Sequence, residues 1–246
     1  MSVIVNRRDV DFYLDEMFDL GSLLASDRYN EHDRESITAI LDLCQSMAEE
    51  EFLPCAAEHD ENEPIFKDGQ AITPDSLKVC LRTFVEAGLP TATFDHELGG
   101  MQLPVVVANF MQGMFQAANA PATGYVFLTA SNAHMLQACG SEALRERYLP
   151  PLVEGRWFGT MCLSEPHAGS SLSDIRCMAD PVGDGSYKLT GTKMWISGGE
   201  QDISENIVHM VLARTPDAPP GVGGISLFLV PKIRVEEDGS LGERNN

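Results

Sequence analysis

Residues 34–156 repeat apolar side chains at three- and four-residue steps, and after Arg156 that period gives way to short runs rich in β-branched and aromatic residues. The first period is that of amphipathic helices and the second texture that of strands. Helices first and strands afterwards give an α+β class, whereas a doubly wound sheet would alternate the two. The sequence therefore predicts a helical N-terminal domain followed by a β-rich domain. The expected boundaries are 1–33 for an N-terminal extension, 34–157 for the helical domain and 158–246 for a central β-domain.

In the extension, Val10, Phe12, Tyr13, Leu14, Met17, Phe18 and Leu20 are apolar enough to pack, and a short helix is expected over 11–18. Over 34–58 the residues Ile37, Ile40, Leu41, Cys44, Met47, Ala48 and Leu53 form one stripe, with Glu49, Glu50 and Glu51 on a solvated face. Thr73-Pro74-Asp75 reads as an N-cap, a first-turn proline and an early acid, and Gly88 as the stop of that helix. Two more helices are expected over 104–119 and 123–139. A fifth opens at Ser141-Glu142, runs towards Tyr148 and is broken by Pro150-Pro151. Strands are expected at 157–163, 176–182, 187–197, 207–214 and 224–231, and 238–246 reads as a polar loop with nothing closing the sheet after it.

With 37 Asp and Glu against 17 Lys and Arg, the net charge of −20 argues against a general affinity for nucleic acid or an anionic membrane. A phosphate-bearing ligand would need local donors. The six cysteines contain no CxxC pair, and His134 and His167 have no partner at ligand spacing, so free thiols and no metal are expected. No run has the form of a signal peptide or the length of a membrane span, and a soluble cytoplasmic protein is the default.

Two segments carry chemistry. Met161-Cys162-Leu163-Ser164-Glu165-Pro166-His167-Ala168-Gly169-Ser170 is an apolar run that breaks into a turn rich in hydroxyls and backbone donors. Gly191-Thr192-Lys193-Met194-Trp195-Ile196-Ser197 ends in a large aromatic followed two residues later by a hydroxyl. On a strand, Trp195 and Ser197 would share a face. A flat, polar-edged ligand would sit against it, with the turn donating to its rim.

The pair of segments resembles the acyl-CoA dehydrogenases. In that flavoprotein family Thr/Ser-Glu-Pro-x-Ala-Gly-Ser joins the helical domain to the β-domain, and Lys-x-Trp-Ile-Thr/Ser follows about one hairpin later. The continuation from Ser197 to Asn206 is similar to a branch of large bacterial enzymes, which also carry an N-terminal extension. The resemblance implies that the β-domain is a partial, β-barrel-like one, and that the reaction is α,β-dehydrogenation of an acyl-CoA thioester with FAD. It implies an electron-transfer flavoprotein or similar acceptor as partner, and a homo-oligomer when full length. The segment Met161 to Ser170, with Met161, Cys162, Leu163, Ser164 and Ser170 as its binding residues, would contact the isoalloxazine, Trp195 would pack on it, and Ile196 and Ser197 would reach towards it. Ser170 matches a position that contacts CoA, although Ser171 stands where an acid is common. Thr129 falls near a flavin-lining position, with a helix-core threonine as the plainer reading. Glu165 is assigned a structural role, because the family's base belongs to a later helical domain. On that view the chain is a fragment, inactive alone. Acyl-CoA oxidase chemistry and a non-catalytic flavin or acyl-CoA binding module are the alternatives.

Overall fold

The computed structural model describes residues 2–245, which form two compact units. The first unit comprises residues up to 127 with 153–155, and the second comprises 128–152 with 156 onwards.

The first unit is helical. Its N-terminal segment is α1 (Arg7–Asp11), a wider π turn (Phe12–Met17) and α2 (Leu20–Leu24), in place of the single helix expected over 11–18. Val10, Leu14, Leu20 and Leu24 are buried, so the segment has its own apolar contacts. Next, α3 (Arg34–Met47) begins at a capping box in which the Asp33 carboxylate accepts from the Ser36 N–H at 2.7 Å and the Ser36 hydroxyl accepts from the Asp33 N–H at 3.0 Å. The helix passes through a π turn (Ala48–Phe52) into α4 (Leu53–Glu61), which realises the stripe expected over 34–58.

An unforeseen hairpin follows, β1 (Ile65–Lys67) with β2 (Gln70–Ile72), turning at Asp68-Gly69 where both residues take positive φ. α5 (Asp75–Glu86) has Pro74 rather than Thr73 at its cap position, with no side-chain capping bond, and stops as expected at Gly88, φ 71°. The aromatic centre of the unit is Phe52, Phe84 and Phe115, with edge-on contacts at centroid distances of 4.9 Å from Phe115 to each of the others.

The two helices expected over 104–119 and 123–139 are present and follow each other without a loop as α6 (Val105–Cys139), divided where Asn119 leaves helical geometry two residues before Pro121. Asn119 stabilises the break by accepting from the Ala122 N–H at 3.2 Å and donating to the Phe52 carbonyl at 3.2 Å.

The second unit contains the end of α6, α7 and the strands. α7 (Glu142–Val153) continues through Pro150-Pro151 instead of breaking there. Burial of Tyr148, Leu149, Pro151 and Leu152 holds the last turn against the loss of two backbone donors. The strands are β3 (Trp157–Cys162), β4 (Met178–Pro181), β5 (Tyr187–Thr190), β6 (Asn206–Ala213), β7 (Ser226–Pro231), β8 (Ile233–Val235) and β9 (Leu241–Arg244). β6 lies between β3, which it pairs in parallel, and β7, which it pairs antiparallel. β4 with β5 and β8 with β9 are separate hairpins. Among the described residues no barrel closes. Within the run over 238–246, expected as a polar loop, Leu241–Arg244 is instead a strand on β8, turned at Asp238-Gly239, and its exposure explains why no apolar pattern announced it; Asn246 lies outside the described residues.

The end of α6 clamps the sheet from one side. The Thr129 hydroxyl accepts from the Gly159 N–H at 2.9 Å, and the Asn132 amide donates to the carbonyls of Thr160 at 3.0 Å and Val208 at 3.1 Å. A side chain at position 159 would meet the Asn132 nitrogen at 2.3 Å, so this approach requires glycine. Thr129 is thus a core threonine of the second unit.

Candidate functional site

The parallel pairing of β3 with β6 leaves residues 163–205 as the crossover, which holds the second motif segment and all of the first beyond Cys162. Beyond Cys162 the chain runs extended through Leu163 and Ser164 into a tight turn in which Glu165 and Ala168 exchange backbone hydrogen bonds at 2.7 and 3.1 Å. Pro166 and His167 form the exposed corner, and Gly169 lies against the Ser164 hydroxyl, where an added Cβ would sit 3.4 Å from it.

The second segment departs from expectation. The strand predicted over 187–197 ends at Thr190. Gly191 packs its bare Cα against Cys177, where a Cβ would come within 2.9 Å, and residues 192–196 then form no ladder. Trp195 has φ 60° and is 85% exposed. Trp195 and Ser197 therefore do not alternate as on a strand: a left-handed residue resets the direction of every side chain after it.

The structure nevertheless joins the two segments. The Met194 N–H donates to the Ser164 carbonyl at 3.0 Å. Lys193 Nζ donates to the Leu163 carbonyl at 3.1 Å and to Glu165 Oε1 at 2.9 Å. Glu165 is buried, and its oxygens also accept from the N–H groups of Arg176 at 2.7 Å and Cys177 at 2.9 Å. Burial alone would raise its pKa; the Arg176 and Cys177 amides and the Lys193 ammonium outweigh that and hold the carboxyl below its ordinary range. Glu165 is thus ionised and spoken for.

Beside these segments an open cleft of about 440 Å³ is lined by Cys162, Lys193 to Ile196, Glu200, His209 and Val211, with Gly199 at its edge. Cys162 and Val211 are paired across the two strands and share the cleft face. By alternation Met161, paired with Met210, points to the opposite face, so Met161 and Cys162 do not share one ligand surface. Ser164 is half-buried, while Ser170 and Ser197 are exposed in turns. Among the described residues the Ser164 and Ser197 hydroxyls have no protein partner. Ser170 lies outside the cleft lining.

Two lining residues escaped the sequence reading. His209 Nδ1 is 2.7 Å from the Thr160 hydroxyl, and burial pushes its pKa down to about 4, against the pull of Glu200. Its only sequence signal was a histidine inside the apolar run of β6, which more often means a satisfied core residue. Glu200 is neutralised by ion pairs with Lys232 and with Arg244, the latter at 2.9 Å. Those partners come from the β7–β8 junction and β9, far along the chain. Among the described residues no group of three or more His, Cys, Asp or Glu is arranged to hold a metal ion, and no helix is long and apolar enough to cross a membrane.

An exposed indole in left-handed geometry beside a cleft, with two unsatisfied hydroxyls on flanking segments, fits a flat ring system that has a polar rim.

Residues 34–156 match the acyl-CoA dehydrogenase N-terminal domain model and residues 160–245 the acyl-CoA dehydrogenase middle domain model. The chain is 38% identical to 3-methylmercaptopropionyl-CoA dehydrogenase of Ruegeria pomeroyi over 97% of its own length and 40% of that protein's. It is 36% identical to a butyryl-CoA dehydrogenase of Syntrophomonas wolfei over 99% of its length and again 40% of the relative's. The chain thus spans about two fifths of the curated relatives it matches. Among solved structures, butyryl-CoA dehydrogenase of Megasphaera elsdenii superposes with a TM-score of 0.63 at 25% identity, covering 79% of this chain and 48% of that one.

Proposed function

The chain belongs to the acyl-CoA dehydrogenase family, and from that membership we propose that its crossover segments form the protein's share of an FAD site in a dehydrogenase of acyl-CoA thioesters. When bound, FAD supplies the hydride-accepting ring for α,β-dehydrogenation. The observation that carries the reading is the joining of Ser164 to Met194, which puts the two motif segments side by side.

In this proposal the residues of the chain bind and orient. Trp195 offers an apolar face that the folded chain leaves open. Ser164 and Ser197 offer hydroxyl donors, and Ile196 its backbone. Ser170 is proposed to meet the CoA portion from the exposed turn. Proton abstraction is assigned to neither Glu165 nor Glu200, since each is already tied to cations. A base must lie within about 2.6–3.2 Å of the proton it takes and be free to accept it. An electron-transfer flavoprotein or similar acceptor, and self-association of the full-length protein, complete the reading.

Titration of the chain with FAD, followed by flavin absorbance and polarisation, tests it. Saturable binding is expected, weakened roughly two- to tenfold in Trp195→Ala, which corresponds to about 0.5–1.5 kcal/mol of aromatic contact. Unchanged affinity in the variant would remove Trp195 from the site.

A further inference from the structure

We propose that Lys193 and Glu165 are positioning residues for the flavin site: their ion pair fixes where Leu163 and Ser164 stand relative to Trp195, Ile196 and Ser197. The proposal rests on the FAD reading above and assigns a role that the motif residues touching the ligand do not have.

The argument begins with what the backbone leaves unheld. β3 ends at Cys162 and β5 at Thr190, so neither 163–164 nor 192–196 is part of a ladder. Their junction is made by the Met194–Ser164 backbone bond at 3.0 Å and by Lys193 Nζ, which reaches both the Leu163 carbonyl at 3.1 Å and Glu165 at 2.9 Å. A single neutral hydrogen bond beside solvent would let 192–196 swing, whereas an ammonium held at two points on 163–165 fixes the segment in translation and in direction.

The anchor is stiff at its other end. The Glu165 side chain is 3% exposed and that of Lys193 11%, so the pair sits where water screens it weakly. Glu165 also binds the Arg176 and Cys177 amides, and these lead directly into β4. One carboxylate therefore knots the 163–168 turn, the start of the β4–β5 hairpin and the Trp195 segment. His167 Nε2 stands 3.6 Å from Glu165 Oε2 and 3.1 Å from the Asp174 carbonyl, which closes the turn from the solvent side.

A merely structural pair would change stability alone. A positioning pair changes ligand affinity and local order while the sheet stays intact. Lys193→Met keeps the apolar stem and removes the charge; Lys193→Arg keeps the charge; Glu165→Gln keeps the shape. The chain and these variants are titrated with FAD, and amide hydrogen exchange is read at 192–197 and at 157–162. Expected for Lys193→Met is an FAD affinity weaker by roughly 10- to 100-fold, the combined scale of losing an aromatic face and a hydrogen bond at the ring's rim. Exchange at 192–197 should rise while β3 stays protected, and Lys193→Arg should restore most of both. Glu165→Gln should resemble Lys193→Met, and if it fails to fold the two lysine variants still decide. Lys193→Met with unchanged affinity and unchanged exchange at 192–197 overturns the proposal, as does loss of protection spread evenly over β3. Absence of FAD binding by the unsubstituted chain overturns the flavin reading instead, and the positioning geometry is then judged on exchange alone.

Discussion

The Thr160 hydroxyl and Nδ1 of His209 lie 2.7 Å apart across two parallel strands, on the side of the sheet that lines the cleft. The contact satisfies one ring nitrogen inside the second unit. Burial does the rest: it pushes the imidazole pKa down to about 4, so the ring is neutral throughout the physiological range.

That depression makes stability depend on pH. The unfolded chain protonates His209 near pH 6.5 and the folded chain only near 4, so the contribution is fully present above about 6.5 and is lost as pH falls towards 4. At 1.36 kcal/mol per pKa unit the effect is on the order of 3 kcal/mol across the window. His209→Leu should flatten the stability slope between about pH 4 and 6.5 in urea titrations. An unchanged slope would show that His209 titrates normally in the fold.

The close approach of Gly159 to Asn132 predicts strong coupling. Gly159→Ala should destabilise the second unit severely, because the new methyl would overlap the amide nitrogen at 2.3 Å. Asn132→Ala should cost about 1–3 kcal/mol by removing its two buried hydrogen bonds to the Thr160 and Val208 carbonyls. The double variant should be less damaged than the sum of the singles, since alanine at 132 removes the 2.3 Å overlap with the amide nitrogen and leaves a Cβ contact at 2.8 Å. Strict additivity in denaturant melts would contradict this packing.

Trp195 should be dispensable for folding. Its left-handed φ costs about 1–2 kcal/mol for a non-glycine residue, against about 0.5–1 kcal/mol of extra chain entropy for glycine. Trp195→Gly should therefore melt at the same temperature or slightly higher while binding FAD more weakly. A clear drop in melting temperature would mean that the indole packs on the folded chain.

Arg214 donates to the carbonyls of Ser173, Ile175, Pro219 and Gly221, tying the loop after β6 to the turn before β4. Arg214→Met should speed proteolytic cleavage within 215–224 several-fold, as charge-assisted bonds to those carbonyls of about 1.5–3 kcal/mol are lost, with little effect on β3. Limited proteolysis followed by mass spectrometry would show it, and an unchanged cleavage rate would count against the clamp.

The amino-acid sequence by itself determined the class and the order of this fold. Its apolar period marks the helices, Gly88 stops α5, Asn119 and Pro121 punctuate α6, and the apolar runs of β3 and β6 are legible because burial demands them. The two motifs were equally legible, since their residue types are unusual at that spacing. What remained hidden depends on partners distant in the chain. β9 is polar and exists through its pairing with β8. The parallel register of β3 with β6 decides that Cys162 faces the cleft and Met161 does not. Trp195 left the strand assigned to it because Gly191 meets Cys177, and Lys193 became a pin because Glu165 lies buried within reach. A local period reports which residues want to be out of water; the direction in which an irregular segment points is set by the backbone and charge contacts that tertiary folding brings to it.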